Sequence, residues 1–147
     1  MTPAEQVVQA YTESREDVYR YVVLLGVAAA EAQEIAQETF LRLHQAVQRG
    51  EEIRSMRGWA FRVAHNLALN TLTRSRDNRS LEGVPQGRLR DRGGSPEEGV
   101  LERERMERVE RAISDLSPQQ RQCLYLRAEG LRYREIAEAI GVGVSTV

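Results

Sequence analysis

Lysine is absent from this chain, cysteine occurs once, histidine twice, and aromatic residues make up only 5% of it. Each shortage excludes something. With Cys123 alone no intrachain disulfide can form, which fits a reducing compartment. His44 and His65, even with that cysteine, offer no metal-ligand spacing, so no metal site is expected. The longest apolar run, Tyr21 to Ala30, is broken by Gly26 and falls well short of the ~20 residues that cross a bilayer. Glu5 and Gln6 stand where a signal peptide needs a basic segment and an apolar stretch. A cytoplasmic protein with no membrane insertion is expected. Paired carboxylates, a nucleophile beside a base and a phosphate loop are also missing, so neither an enzymatic activity nor a cofactor is expected.

What is present points to helix. Hydrophobic residues make up 41% and charged residues 29%, too apolar for wholesale disorder. Leu, Ala, Glu, Arg and Gln abound, a set that favours helix over sheet. The net charge of −1 is unevenly spread: −2 over residues 1–73, +3 over 74–94 and −2 over 95–147. All the basic side chains are arginine, which a GC-rich genome explains without any selection for guanidinium chemistry. A basic middle between two mildly acidic halves still suits phosphate contacts.

Periodicity divides the chain. Val7, Tyr11, Val18, Tyr21, Val22 and Leu25 recur at helical spacing and predict a first helix over 3–25, stopped by Gly26. Ala32, Ile35, Ala36, Phe40, Leu43 and Val47 predict a second over 29–49, closed by Gly50. A polar loop, Glu51 to Arg57, leads to a third helix over about 58–74. Residues 75–96 lose all periodicity and gather Gly83, Pro85, Gly87, Gly93, Gly94 and Pro96, the composition of a linker. Leu101, Met106, Val109, Ala112, Ile113 and Leu116 predict a fourth helix. Ser117-Pro118 is a cap with proline at the first helical position, opening a fifth that Gly130 ends, and Tyr133 to Ile140 forms a sixth. The expected fold is all-α: two small helical domains, 1–76 and 97–147, joined by a flexible linker over 77–96. Each half is small enough for its core to be marginal alone.

The segment from Tyr133 to Val147 has the pattern of a helix-turn-helix. Ile136, Ile140 and Val142 supply a buried face, Ala137 is small where two helices cross, and Gly141 fits a turn that needs positive φ. Val147 returns to the core from the second helix. An ordinary helical hairpin is the alternative. In such motifs the second helix enters the major groove and its first exposed residues read bases. Here that helix begins near Val144 or Ser145 and the sequence stops at Val147, so an incomplete base-reading surface is expected, without specific binding to upstream duplex DNA.

Two further faces invite a function. On the second helix Glu34, Gln37, Glu38, Leu41 and Arg42 face outward, and an exposed leucine among carboxylates suits a partner helix as well as a solvated surface. On the third, Arg62, Asn66, Asn70 and Thr73 line one side while Ala60, Val63, Ala64, Leu67 and Ala68 line the other, with Trp59 at the margin. Arg and Asn at four-residue spacing, continuing into Arg74, Arg76 and Arg79, suit phosphates and base edges, or simply solvent.

Taken together, three motifs resemble the extracytoplasmic-function sigma factors. Gln37-Glu38-Thr39-Phe40-Leu41-Arg42 is similar to the core of that family's second region. Gly58-Trp59-Ala60-Phe61-Arg62-Val63-Ala64-His65-Asn66-Leu67-Ala68 resembles its promoter-recognition helix. Leu116-Ser117-Pro118-Gln119-Gln120-Arg121, followed by Glu129-Gly130-Leu131-Arg132-Tyr133-Arg134-Glu135-Ile136-Ala137, resembles its fourth region. The resemblance implies a transcription initiation factor that binds core RNA polymerase and directs it to promoter DNA. Glu34, Gln37, Glu38, Leu41 and Arg42 would dock on the β′ clamp helices of the polymerase, with the β flap as a further contact. Arg49, Arg54, Trp59, Arg62, Asn66, Asn70, Arg74 and Arg76 would read the opened minus-ten element by stacking and edge hydrogen bonds. Arg132, Arg134, Ser145 and Thr146 would read the minus-thirty-five element, and an anti-sigma factor is a possible further partner. The chain departs from the family pattern at Ala30, Glu31, Ala32 and Gln33, where aspartates are usual. It departs again at Asn70, at Thr71-Leu72-Thr73 and at Gly143. A response-regulator-type helix-turn-helix protein and a sigma-like interaction protein are the alternatives. The absence of strands and of an acidic receiver pocket in the first half argues against the former.

Overall fold

The computed structural model describes the backbone of residues 1–78 and 99–147, with side chains described up to residue 75 in the first stretch. Among the described residues six α-helices follow one another: α1 Pro3–Leu24, α2 Ala29–Gln48, α3 Met56–Asn78, α4 Gly99–Ser114, α5 Pro118–Ala128 and α6 Tyr133–Ile140. A 3₁₀ turn, Val144–Thr146, follows α6, and no strand occurs among the described residues.

Local chemistry sets most of the helix ends. Thr2 caps α1: its hydroxyl accepts from the Glu5 amide at 3.2 Å and its own amide donates to the Glu5 carboxylate at 2.9 Å. Ser117 and Gln120 repeat the arrangement on α5, at 3.2 and 2.9 Å, with Pro118 at the first helical position. Ser117→Ala should therefore cost about 1 kcal/mol of stability. Urea unfolding checks this, with Ser117→Asp keeping the wild-type midpoint because aspartate caps as well. At the other end of α5, Gly130 takes φ +90° and Leu131 donates back to the Leu126 carbonyl at 3.1 Å. Leu126 and Leu131 are both buried, the apolar contact that accompanies this kind of stop.

Helices α1, α2 and α3 pack against one another. Val7, Ala10, Val18, Tyr21 and Val22 meet Ala32, Ile35, Ala36, Phe40 and Leu43 on one side and Ala60, Phe61, Ala64 and Ala68 on the other. Tyr11 meets Phe40 edge-on at 5.4 Å, and Tyr21 meets Phe61 in the same way at 5.6 Å. The Tyr21 hydroxyl lies 2.8 Å from Nδ1 of His65, a ring only 2% exposed. Burial lowers the His65 pKa to about 4, so the ring is neutral at neutral pH, and the same burial raises that of Tyr21.

The second half joins this core. Leu126, Leu131, Ile136 and Ala139 belong to the same apolar cluster as the first three helices, and α6 packs directly on α3. The two parts anticipated from sequence thus lie against each other rather than each closing its own core.

Four details differ from the sequence reading. Helix α3 starts two residues earlier than Gly58, because Ser55 caps it by accepting from the Gly58 amide at 3.0 Å. It also runs on to Asn78, so residues 77 and 78 of the anticipated linker are helical and the remainder, 79–96, lies outside the described residues. The core face of α3 includes Phe61 and His65, which α1 buries, while Val63 and Leu67 are only partly covered. Helix α4 buries none of its residues: Leu101, Met106 and Val109 stay exposed. Its periodicity makes a helix with an apolar side, but no neighbour among the described elements covers that side.

Candidate functional site

The outer face of α2 is built as the inner one dictates. With Ile35, Ala36, Thr39, Phe40 and Leu43 buried, Glu34, Gln37, Leu41 and Arg42 are turned to solvent and Glu38 is half exposed. Leu41 is 51% exposed, and Arg42 Nε lies 3.0 Å from Glu38 Oε1 one turn away. An exposed leucine rimmed by charges of both signs is the make-up of a small protein-docking patch. A shallow groove runs beside it, where Glu31, Glu34 and Glu38 of α2 face Leu67, Thr71, Arg74 and Ser75 of α3. Arg74, assigned from sequence to DNA, therefore shares a groove with carboxylates assigned to a protein partner.

On α3 the expected polar stripe is real. Arg62, Asn66, Asn70, Thr73 and Arg74 are all exposed, and Ala60, Ala64 and Ala68 are buried on the opposite side. Arg62 places its guanidinium over the Trp59 ring, 6.0 Å from the centroid. The loop before α3 brings Arg49 and Arg54 to the same end of the molecule as exposed side chains, Arg49 paired with Glu51 at 2.7 Å. Arg76 lies on α3 with its side chain outside the described residues, and Arg79 lies outside them altogether.

The helix-turn-helix elements take their expected places. Ile136 and Ala137 are buried, Ile140, Val142 and Val147 partly so, and Gly141 turns the chain at φ +77°. Glu135 closes the start of α6 by accepting from the Arg132 amide at 2.9 Å. Gly143 precedes the final turn without a side-chain cap. Arg132, Arg134, Ser145 and Thr146 are all exposed. One open groove of about 980 Å³ is lined by Arg54, Trp59 and Arg62 on one wall and by Arg132, Arg134, Glu135 and Glu138 on the other. The two sets of residues assigned to separate promoter elements thus meet across one cleft. Gly58 lies against Glu135 there: a Cβ would stand 2.6 Å from Glu135 Oε2 and 3.2 Å from Ser55 Oγ, so either side chain would have to move aside for a larger residue.

Among the described residues the most connected side chain is one that sequence reasoning passed over as the end of a loop. Arg57 sits in the first turn of α3 and donates to Ser14 Oγ at 3.1 Å and Asp17 Oδ2 at 2.9 Å, both on α1. It also donates to the Glu129 carbonyl at 2.6 Å and to Glu129 Oε2 at 3.3 Å, at the end of α5. Its guanidinium lies 5.1 Å from the centre of the Phe61 ring. The one available signal was an arginine directly ahead of a buried helix start; its partners lie up to 72 residues away.

Among the described residues no group of three or more His, Cys, Asp or Glu could hold a metal ion, and no helix is long and apolar enough to cross a membrane. What the geometry offers is surface: an exposed leucine among charges on α2, a polar stripe on α3 and a helix-turn-helix start.

The sequence of this chain matches the sigma-70 proteins in both halves. The family model for Sigma-70 region 2 matches residues 10–78, and the model for Sigma-70, region 4 matches residues 106–147. Among curated proteins, the ECF RNA polymerase sigma factor SigE of Mycolicibacterium smegmatis is 30% identical over 133 residues, covering 88% of this chain and 51% of its own length. The ECF RNA polymerase sigma factor BldN of Streptomyces coelicolor is 32% identical over 136 residues, 89% of this chain and 50% of its own length. A probable RNA polymerase sigma-C factor of Mycobacterium bovis is 30% identical over 138 residues, 91% of this chain and 71% of its own length. This chain belongs to the extracytoplasmic-function family of RNA polymerase sigma factors. It spans about half the length of the first two of these relatives. The family is not one of enzymes.

Proposed function

We propose that this chain binds core RNA polymerase in the cytoplasm and directs it to promoters. Residues 1–76 would act as the region 2-like domain, 77–96 as the linker and 97–147 as the region 4-like helix-turn-helix domain. The observation that carries this reading is the division of α3: a small, fully buried face of Ala60, Ala64 and Ala68 against an exposed stripe of Arg62, Asn66 and Asn70. A helix held so tightly on one side can present hydrogen-bonding groups at fixed spacing to a displaced strand, with Trp59 at its head for stacking. The Leu41 patch on α2 supports docking to the β′ clamp helices, where a leucine in a charged rim can anchor an interface. Arg132, Arg134, Ser145 and Thr146 would serve the minus-thirty-five element, and the β flap and an anti-sigma factor would be further partners.

Arg62→Ala and Asn66→Ala test the assignment of α3. Both residues are exposed, so folding is unaffected; open-complex formation by the polymerase holoenzyme should fall while binding to core polymerase is retained. Arg62→Ala should also flatten the salt dependence of promoter binding by about one unit of log–log slope, the signature of one lost phosphate contact. Wild-type promoter opening by both variants would reduce the stripe to solvated surface.

A further inference from the structure

The groove between α3 and α6 has the chemistry of a small-ligand site. Its volume of about 980 Å³ lies at the upper end of the ~300–1,000 Å³ usual for pockets that hold small molecules. Four guanidinium groups line it, Arg54 and Arg62 on one wall and Arg132 and Arg134 on the other. All four side chains are exposed, and among the described residues none is ion-paired with a carboxylate. The carboxylates of the groove are partly engaged: Glu51 pairs with Arg49 at 2.7 Å, and Glu135 accepts from the Arg132 amide at 2.9 Å. Glu52 and Glu138 are exposed. Trp59, the only tryptophan of the chain, stands half-buried among these charges. Arg62 lies over its ring at 6.0 Å from the centroid, well beyond the ~3.5–4.0 Å of atoms in contact, so a flat ligand can displace it from that face.

Different anions make different demands on such a cleft. A duplex carries one charge per ~1.7 Å of its length, a continuous row that the carboxylates on both walls oppose. A bare phosphate chain meets the same carboxylates and gains nothing from Trp59. A nucleotide suits the mixture. Its phosphates accept charge-assisted hydrogen bonds from guanidinium groups, its base stacks on the indole, and an exocyclic amine donates to a carboxylate. A purine presents the larger ring face, and adenine and guanine both carry that amine.

We propose that this cleft binds a free purine nucleoside di- or triphosphate, its base on Trp59 and its phosphates between the guanidinium groups of the two walls. The site itself stands independently of the sigma-factor reading. Its consequence rests on that reading: Arg54, Trp59, Arg62, Arg132 and Arg134 are also the residues proposed to contact promoter DNA, so nucleotide and promoter compete for them.

Titration of the intact chain with ATP and with GTP tests the site, followed by Trp59 emission and by calorimetry. At least one should bind and quench Trp59, about fivefold or more tightly than inorganic tripolyphosphate, the margin expected of one stacked base. Arg54→Ala and Arg134→Ala remove one exposed guanidinium from each wall, and each should weaken binding about tenfold. Arg103→Ala removes the same charge from the exposed surface of α4, outside the cleft, and should bind as wild type does. Absence of binding, tripolyphosphate that binds as tightly as the nucleotides, or an Arg134→Ala variant with wild-type affinity overturns the proposal. Binding of single-stranded oligo(dA) where ATP and GTP fail also overturns it and assigns the cleft to a DNA strand. Co-elution with core polymerase is scored separately. Nucleotide binding by a chain that ignores polymerase keeps the site and ends the sigma-factor reading; co-elution without nucleotide binding does the reverse.

Discussion

Combining Glu38→Arg with Leu41→Ala should weaken binding to core RNA polymerase by at least about tenfold, because truncating a central interface residue typically costs ~1 kcal/mol or more and the charge reversal adds to it. The double variant should fold normally. Leu41 is half exposed and not part of the core cluster, and Glu38 pairs among the described residues with Arg42, a surface contact worth little. Fluorescence anisotropy of labelled chain titrated with core polymerase measures the affinity, and far-ultraviolet circular dichroism reports the fold. Native helicity with unchanged affinity would remove α2 from the docking surface.

Acid should destabilise the chain through His65 before most carboxylates titrate. The ring is buried against Tyr21, and its pKa is lowered to about 4 from an ordinary 6.5. A lowered histidine pKa means the unfolded chain binds the proton more readily, so the stability present above pH 6.5 is lost as pH falls from there towards 4. Between about pH 7.5 and pH 5 the loss should reach about 2 kcal/mol, from linkage at ~1.4 kcal/mol per unit. Urea unfolding of wild type and His65→Gln over that range measures it. The variant starts less stable but should show little of the slope. Equal slopes in the two proteins would mean that the ring is hydrated and free to charge.

The sequence was most legible where a local residue decides the structure alone. Ser117-Pro118 opened α5, and Gly130 and Gly141 ended α5 and α6, because caps and left-handed turns depend on only a few neighbouring residues. The stripe of Arg62, Asn66 and Asn70 was legible for a related reason: small residues on the far side of a helix leave little doubt about which face is buried. Three features escaped. Phe61 and His65 belong to the core because α1 brings Tyr21 against them, and the polar ring disguised its position in the pattern. Arg57 looked like the end of a basic loop, since nothing local hints at a partner 72 residues later. The apolar side of α4 suggested a packed helix, yet periodicity reports only that a face exists, and here none of its residues is buried. Packing of the two halves on one another was likewise beyond reach, because Leu126, Leu131, Ile136 and Ala139 join the first core, and Arg57 meets Asp17 and Glu129, only once the chain has folded.

The central claim is that this chain makes core polymerase promoter-specific. Reconstituted core polymerase should be mixed with the intact chain, passed over a sizing column and used for run-off transcription on a promoter library. The account predicts a co-eluting complex that transcribes a subset of templates sharing one minus-ten sequence, where core alone transcribes none specifically. A chain that elutes apart from polymerase, or a complex that starts transcription no more selectively than core, would contradict it.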